Sequence, residues 1–340
     1  MPRASARIPL RLPIAALACF LAFCLPGCGP EAPSFGSIER RSPPLDRLVP
    51  PGARVERIAT GFAFTEGPVW MPGGYLLFGD LPNNVIWRWD PPAGAAKVVR
   101  TRSGYADADH PPGGAMGSNG MTLDREGRLT VCEPGNRRVT RTETDGSITV
   151  LADRYEGKRL NSPNDLVYRR ADGALYFTDP PHGLVQEDRD PEKELPFNGV
   201  YRVAGGKLQL VERAMTRPNG IAFSPDERYL FVSNSDPARK IWMRYQVQPD
   251  GSLADGTVFL DLTGMPGQAP DGMKVDREGN LYLTGPGGVW ILAPSGEILG
   301  VIRTQQEPAN LAWGEADHRT LFLTAPNEVY RIRLGVPGIP

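Results

Sequence analysis

Six stretches of this 340-residue chain say nearly the same thing, and that repetition limits the fold more than any other property. They read EGPVWMPGGYLLFGD from Glu66, SNGMTLDREGRLTVCE from Ser118, SPNDLVYRRADGALYFTD from Ser162, RPNGIAFSPDERYLFVSNS from Arg217, APDGMKVDREGNLYLTG from Ala269 and PANLAWGEADHRTLFLTA from Pro308. Each opens on a carboxylate or amide, runs through a short apolar strand, turns near glycine or acidic residues, and returns as a second apolar strand. The opening residues Glu66, Asn119, Asn164, Asn219, Asp271 and Asn310 follow one another at intervals of 53, 45, 55, 52 and 39. A period of about 50 residues built from β-hairpins is the signature of a propeller, because one such unit cannot bury both its faces alone. The expected fold is all-β: a six-bladed β-propeller of four-stranded antiparallel blades over residues 53–334. The last repeat supplies only three strands, and ARVERIATG (53–61) stands alone before the first. The strand at 53–59 should therefore close the ring by joining the last blade.

Outside the repeats the chain divides simply. Residues 1–27 hold three arginines and then an apolar stretch from Leu12 to Pro26, too short to span a bilayer as an ordinary helix and suited to a secretory signal. The stretch ends in Leu25-Pro26-Gly27-Cys28, which resembles a bacterial lipobox. Cys28 is then expected to be lipidated, anchoring the protein in the cell envelope at an outer membrane, facing the periplasm. Residues 28–52 are proline-rich and aperiodic and read as a tether; residues 335–340 read as a tail. With Cys19 and Cys24 in the signal, Cys132 is the one thiol left, in a repeat strand and suited to packing. A net charge of −1 with no basic run excludes a nucleic-acid surface, and three histidines are too few for a His-rich zinc centre. Two aperiodic stretches, 101–118 and 180–198, are long enough to form a rim or lid and carry His110 and His182. His318 falls in a hairpin turn and is assigned no role.

If the first strand of each repeat is the innermost of its blade, the six opening residues ring a central channel. Asn-Gly and Asp-Gly are also ordinary turn formers, but here the hairpin turns come later, at sequences such as DREGR and SPDER. Glu66 and Asp271 would place two carboxylates in one narrow site. At about 5 Å they repel by roughly 3 kcal/mol at an effective dielectric near 20. A cation relieves that repulsion, and asparagine side chains add neutral oxygens. All-oxygen ligation suits calcium first, with magnesium, manganese and zinc as alternatives. Four asparagines exceed what one cation needs, so one or two, Asn119 among them, are left to contact substrate or water.

EGPVW, NSPNDLVY followed by YFTDPPHGL, RPNGIAFSPDE and PDGMKVDREGNLY resemble the SMP-30/gluconolactonase-like family of six-bladed propellers, which are related to paraoxonase-like propellers. The resemblance spans residues 53–334. It implies a divalent metal held by Glu66, Asn164, Asn219 and Asp271 at the channel mouth, and hydrolysis of a sugar lactone or related ester. It also offers Asp271 as general base, a role that metal coordination weakens by lowering a carboxylate's basicity. Asp165, Asp179 and His182 are candidates to share the proton, and Asn119, Asp165, His182 and His110 to contact the substrate. No G-x-S-x-G nucleophile motif competes with this reading. Two other functions fit the same residues: a non-catalytic metal-binding envelope propeller, and a hydrolase for another ester class.

Overall fold

The strands of the six repeats pair into six antiparallel sheets, each with the first strand of its repeat innermost. The computed structural model describes Met1 and residues 34–91, 94–106 and 116–339. Blade 1 runs Thr65–Met71, Tyr75–Asp80, Val85–Trp89 and Ala96–Thr101; blade 2 runs Met121–Leu123, Leu129–Glu133, Arg138–Thr142 and Ile148–Ala152. Blade 3 runs Leu166–Tyr168, Leu175–Asp179, Gly199–Ala204 and Lys207–Glu212, and blade 4 Pro218–Phe223, Tyr229–Asp236, Arg239–Val247 and Leu253–Asp261. Blades 5 and 6 begin with Met273–Val275 and Asn310–Gly314. The second strands Leu281–Gly285 and Thr320–Thr324 are buried along their whole length, since neighbouring blades cover both faces. At the rim, Lys207–Glu212 alternates exposed and half-buried residues, as a strand wetted on one face should. The second strands are therefore covered on both faces, and one-sided wetting appears at the rim.

Strand Val55–Thr60 pairs antiparallel with Glu328–Arg333 and completes blade 6, so the ring closes through its N-terminal strand as the orphan sequence requires. An ion pair from Arg57 to Glu328 at 2.6 Å spans the seam. Two segments differ from expectation. Within the stretch read as a tether, Gly36–Arg40 pairs with Ile298–Thr304 and adds a fifth strand to blade 5. The short helix Leu45–Leu48 then buries Leu45, Leu48 and Val49 in the cluster that joins blades 5 and 6. Proline-rich composition suggested a spacer, but these three apolar side chains give the segment a docking face. The tail also packs: Val336 is buried, Gly335 N donates to Leu48 O at 2.8 Å, and Gly338 bridges Asp276. From Ser34 onward the chain is one compact unit. Cys28, the signal-like segment and His110 lie outside the described residues. Cys132 is a free, fully buried thiol, and burial raises its pKa, as befits packing rather than chemistry.

The glycines that follow opening residues serve the contact between blades. A methyl group on Gly120 would stand 2.6 Å from the carbonyl oxygen of Asn164, and one on Gly220 would stand 2.2 Å from that of Asp271. Only a residue without Cβ lets one opening segment lie directly against the next. The approach is used: Gly120 N donates to Asn164 O at 2.7 Å, Thr178 Oγ1 to Asn219 O at 2.8 Å, and Ser233 Oγ to Asp271 O at 2.7 Å. A belt of interblade hydrogen bonds thus fixes the backbone of the opening residues around the channel.

Candidate active site

Five of the six opening side chains are buried, with Glu66, Asn119, Asn164, Asn219 and Asn310 each at most 6% exposed, and Asp271 is half-buried. Glu66 Oε2 accepts hydrogen bonds from Gly67 N at 2.7 Å and from Asn310 Nδ2 at 3.0 Å. Asn310 is thereby tied across the seam of the ring to Glu66. Asp165, next to Asn164, takes the place that glycine holds after four of the other opening residues and is also buried. Its Oδ1 accepts from Leu166 N at 2.8 Å. Its Oδ2 accepts no well-formed hydrogen bond, although the Asn310 amide and the Ile221 N–H are near enough to favour its charge.

Three carboxylates therefore share this end of the channel. Burial raises the pKa of Asp271 well above the usual carboxylate range, and the negative charges of Glu66 and Asp165 push it further; the Asn219 side chain opposes the rise. Burial also raises Glu66 and Asp165. The Lys274 ammonium pulls both of them back. Like charges in a low-dielectric site cannot all remain ionised without a counter-charge. The donor set supplies a place for one. Asn119 Oδ1 and Asn219 Oδ1, with Asp165 Oδ2, are buried oxygens without a hydrogen-bond partner among the described residues. A buried acceptor left unpaired costs about 1–3 kcal/mol, so three such oxygens beside three carboxylates suit a hard cation. Among the described residues no three His, Cys, Asp or Glu side chains gather closely enough to hold a metal by themselves. Amide oxygens must therefore take part in any such site.

The remaining predicted residues fall in different places. His182 is half-buried above blade 3, with Nε2 2.8 Å from Ser235 Oγ and Nδ1 3.4 Å from Glu187 Oε1. Glu187 in turn pairs with Arg217 at 2.5 Å, two residues before Asn219. His182 is thus linked to the approach to Asn219 and bonded to none of the ring side chains. Asp179 is fully buried, and both its oxygens are occupied by the N–H groups of Asn161 and Ser162, at 2.8 and 2.7 Å. It holds backbone and is not poised to exchange a proton with substrate. A cavity of about 490 Å³ lies between the loops of blades 2 and 3, lined by Asn136, Arg137, Arg159 and Leu184. A second, of about 520 Å³, is lined by Trp70, Asp124, Lys274 and His318. It contains none of the opening residues and sits at the hairpin-turn end of the channel. The buried charges and unpaired oxygens are in the ring, and not in this cavity. Lys274 and Arg217 were missed in the sequence reading; the signal for each was a cation within three residues of an opening residue.

Residues 64–327 match the model of the SMP-30/Gluconolactonase/LRE-like region family. A gluconolactonase of Zymomonas mobilis is 40% identical over 315 residues, covering 88% of this chain and 86% of that protein. The solved structure of a gluconolactonase from Xanthomonas campestris is 32% identical and superposes with a TM-score of 0.77, covering 90% of this chain and 97% of that one. A calcium-binding regucalcin structure from Agrobacterium tumefaciens shares the fold at 18% identity and a TM-score of 0.66, covering 84% and 95% of the two chains.

Proposed function

Because the chain belongs to the SMP-30/gluconolactonase/LRE-like family and is a gluconolactonase-like lactone hydrolase, we propose that it opens a sugar lactone with a divalent cation, calcium first, at the ring end of its channel. The observation that carries this reading is the set of unpaired buried oxygens on Asn119, Asn219 and Asp165, beside the carboxylates of Glu66 and Asp271. Glu66, Asn164, Asn219 and Asp271 would hold the cation. When bound, it supplies a Lewis acid that polarises the lactone carbonyl and favours ionisation of a nearby water. Asp271 is the half-buried member of the ring, more open than the five buried opening side chains. In the proposed reaction it takes the proton of the water that attacks the carbonyl carbon. The ring C–O bond then breaks, and the departing alkoxide takes that proton back, leaving the hydroxy acid. Asn119 and Asp165 are buried in the same ring and would orient the substrate's oxygens. His182, through Glu187 and Arg217, would steady the rim beside Asn219.

The test is Asp271→Asn against Asn219→Ala. Both should weaken calcium binding measured by titration calorimetry. Turnover of glucono-lactone, followed by proton release at saturating calcium, should recover in Asn219→Ala. In Asp271→Asn it should stay lowered by about 10²–10⁴, the range of general-base contributions. Full recovery of Asp271→Asn would remove Asp271 from the base role. Wild-type protein that binds calcium but turns over no lactone would favour a non-catalytic propeller.

A further inference from the structure

The segments that lead into the opening residues are not all held alike. In blade 1 the N–H groups of Ala63 and Phe64, three and two residues before Glu66, donate to the two oxygens of Asp80, each at 3.2 Å. In blade 3 those of Asn161 and Ser162, three and two before Asn164, donate to the two oxygens of Asp179. In blade 4 Arg217 N, two before Asn219, donates to Asn234 Oδ1 at 2.8 Å, and Thr216 Oγ1 donates to the same oxygen at 3.2 Å. Asp80, Asp179 and Asn234 are all buried and occupy the same place, at the end of the second strand or just before it. In blade 5 that place is taken by Gly285, which has no side chain. There Glu307 reaches in from the next loop, and its Oε2 accepts from Gln268 N, three before Asp271, at 2.8 Å.

The other two blades lack a carboxylate or amide in this role. Before Asn119, Gly117 N donates to the backbone oxygen of Leu81 and Ser118 N to the hydroxyl of Ser103. Glu133, at the matching strand end, points its carboxylate to Asn136 Nδ2, Arg138 Nε and Thr140 Oγ1 instead. Before Asn310, Pro308 has no N–H to give, and Ala309 N donates to Thr324 O. Carboxylate or amide clamps on the backbone two or three residues ahead thus occur at Glu66, Asn164, Asn219 and Asp271; among the described residues Asn119 has only the Ser103 hydroxyl on the residue directly before it, and Asn310 has none.

We propose that Asp80, Asp179, Asn234 and Glu307 are positioning residues that hold the four cation-binding side chains in ligating geometry by clamping the backbone ahead of each. This rests on the metal-dependent reading above. A clamp of this kind fixes the direction from which a ligand's Cα enters the ring, which a long strand could not do from one side alone. Partners hydrogen-bonded to the ligands themselves are worth about 10–100-fold in metal affinity, and clamps acting through the backbone are expected at the lower end of that range. The experiment titrates calcium chloride into the full-chain protein and its Asp80→Ala, Asp179→Ala and Asn234→Ala variants by calorimetry. Two controls are Glu133→Ala, in the same register without a clamp, and Asp276→Ala, which removes a similar buried acceptor from a hairpin turn, where it holds Glu278 N and Asn280 N.

The three clamp variants should bind calcium at least about tenfold more weakly. Glu133→Ala and Asp276→Ala should bind it as the wild type does, even where Asp276→Ala melts earlier. Where an alanine variant does not fold, Asp80→Asn and Asp179→Asn keep one acceptor oxygen, and Asn234→Asp keeps the acceptor while losing the Nδ2 donor to Thr216 and Arg239; each should lose only part of the affinity. Clamp variants that fold and bind within twofold of wild type would overturn the proposal, as would equal losses in the controls. If the wild type binds no calcium, the metal reading fails by itself. The clamps are then judged on lactone turnover, which should drop in the three variants and hold in Glu133→Ala.

Discussion

Replacing Asp179 by asparagine should change how stability depends on pH more than it changes stability at any one pH. Burial raises the Asp179 carboxyl from an ordinary value near 3.8 to about 7, against the opposing effect of the Asn161 and Ser162 N–H groups. Between these two values the folded state holds a proton that the unfolded chain has released. The sign follows from linkage: a raised folded-state pKa contributes stability in full below the unfolded value, and that contribution is lost as pH climbs toward about 7. The loss amounts to at most about 1.4 kcal/mol per pH unit, or about 4 kcal/mol across the window. Asparagine cannot ionise, so Asp179→Asn should be free of this slope. It carries instead a nearly constant cost of about 1–3 kcal/mol, because its NH₂ faces one of the two N–H donors. Urea unfolding of both proteins at pH 4.5, 6 and 8, with calcium held saturating, gives the difference. Wild type should be the more stable at pH 4.5 and should lose that advantage, or reverse it, by pH 8. A difference that is flat with pH, or that grows in favour of wild type, would show that the carboxylate is already ionised in the folded protein and that its two N–H partners outweigh burial.

Three further outcomes are expected. Lys274→Met should tighten calcium binding by about tenfold, since it removes a positive charge whose field reaches Glu66 and Asp165 and which competes with the cation; weaker binding by calorimetry would contradict that electrostatic picture. Removing residues 34–50 should lower the melting temperature sharply and promote aggregation, because Leu45, Leu48 and Val49 each contribute about 1.5–3 kcal/mol by burial and Gly36–Arg40 covers the edge of blade 5; a soluble truncation that melts unchanged would show the segment to be dispensable. Cys28→Ser should move the protein from the detergent phase to the aqueous phase in a two-phase extraction, as the lipobox resemblance requires; unchanged partitioning would exclude the anchor.

The blades and their closure were legible because both follow from burial. Strands such as Leu281–Gly285 are buried throughout and largely apolar, and an orphan strand opposite a three-stranded repeat has one place to go. The fifth strand was not legible. GSIER is five residues long, carries two charges, and sits among prolines; only its pairing with Ile298–Thr304 distinguishes it from a linker. In the site, the opening residues could be picked out because a polar residue before an apolar strand breaks the pattern. Lys274 could not, since alternation within Met273–Val275 gives the same pattern for a channel-facing lysine as for a solvent-facing one.

The clamps lie between these cases. Asp80 stands 14 residues after Glu66, and Asp179 and Asn234 each 15 after Asn164 and Asn219. That near-constant offset is the length of a hairpin folded back on the segment before it, and it is present in the sequence. An offset of 14 also leads from Asn119 to Glu133 and from Asp271 to Gly285, neither of which makes a clamp. Periodicity therefore finds the position, and the side chain decides its use. Aspartate and asparagine are short enough to turn back onto the adjacent N–H groups. Glutamate is one methylene longer, and at Glu133 it is taken by Arg138, Asn136 and Thr140. Which of these happens depends on neighbours that no spacing reveals, and the proposed hold on the opening residues depends on that choice.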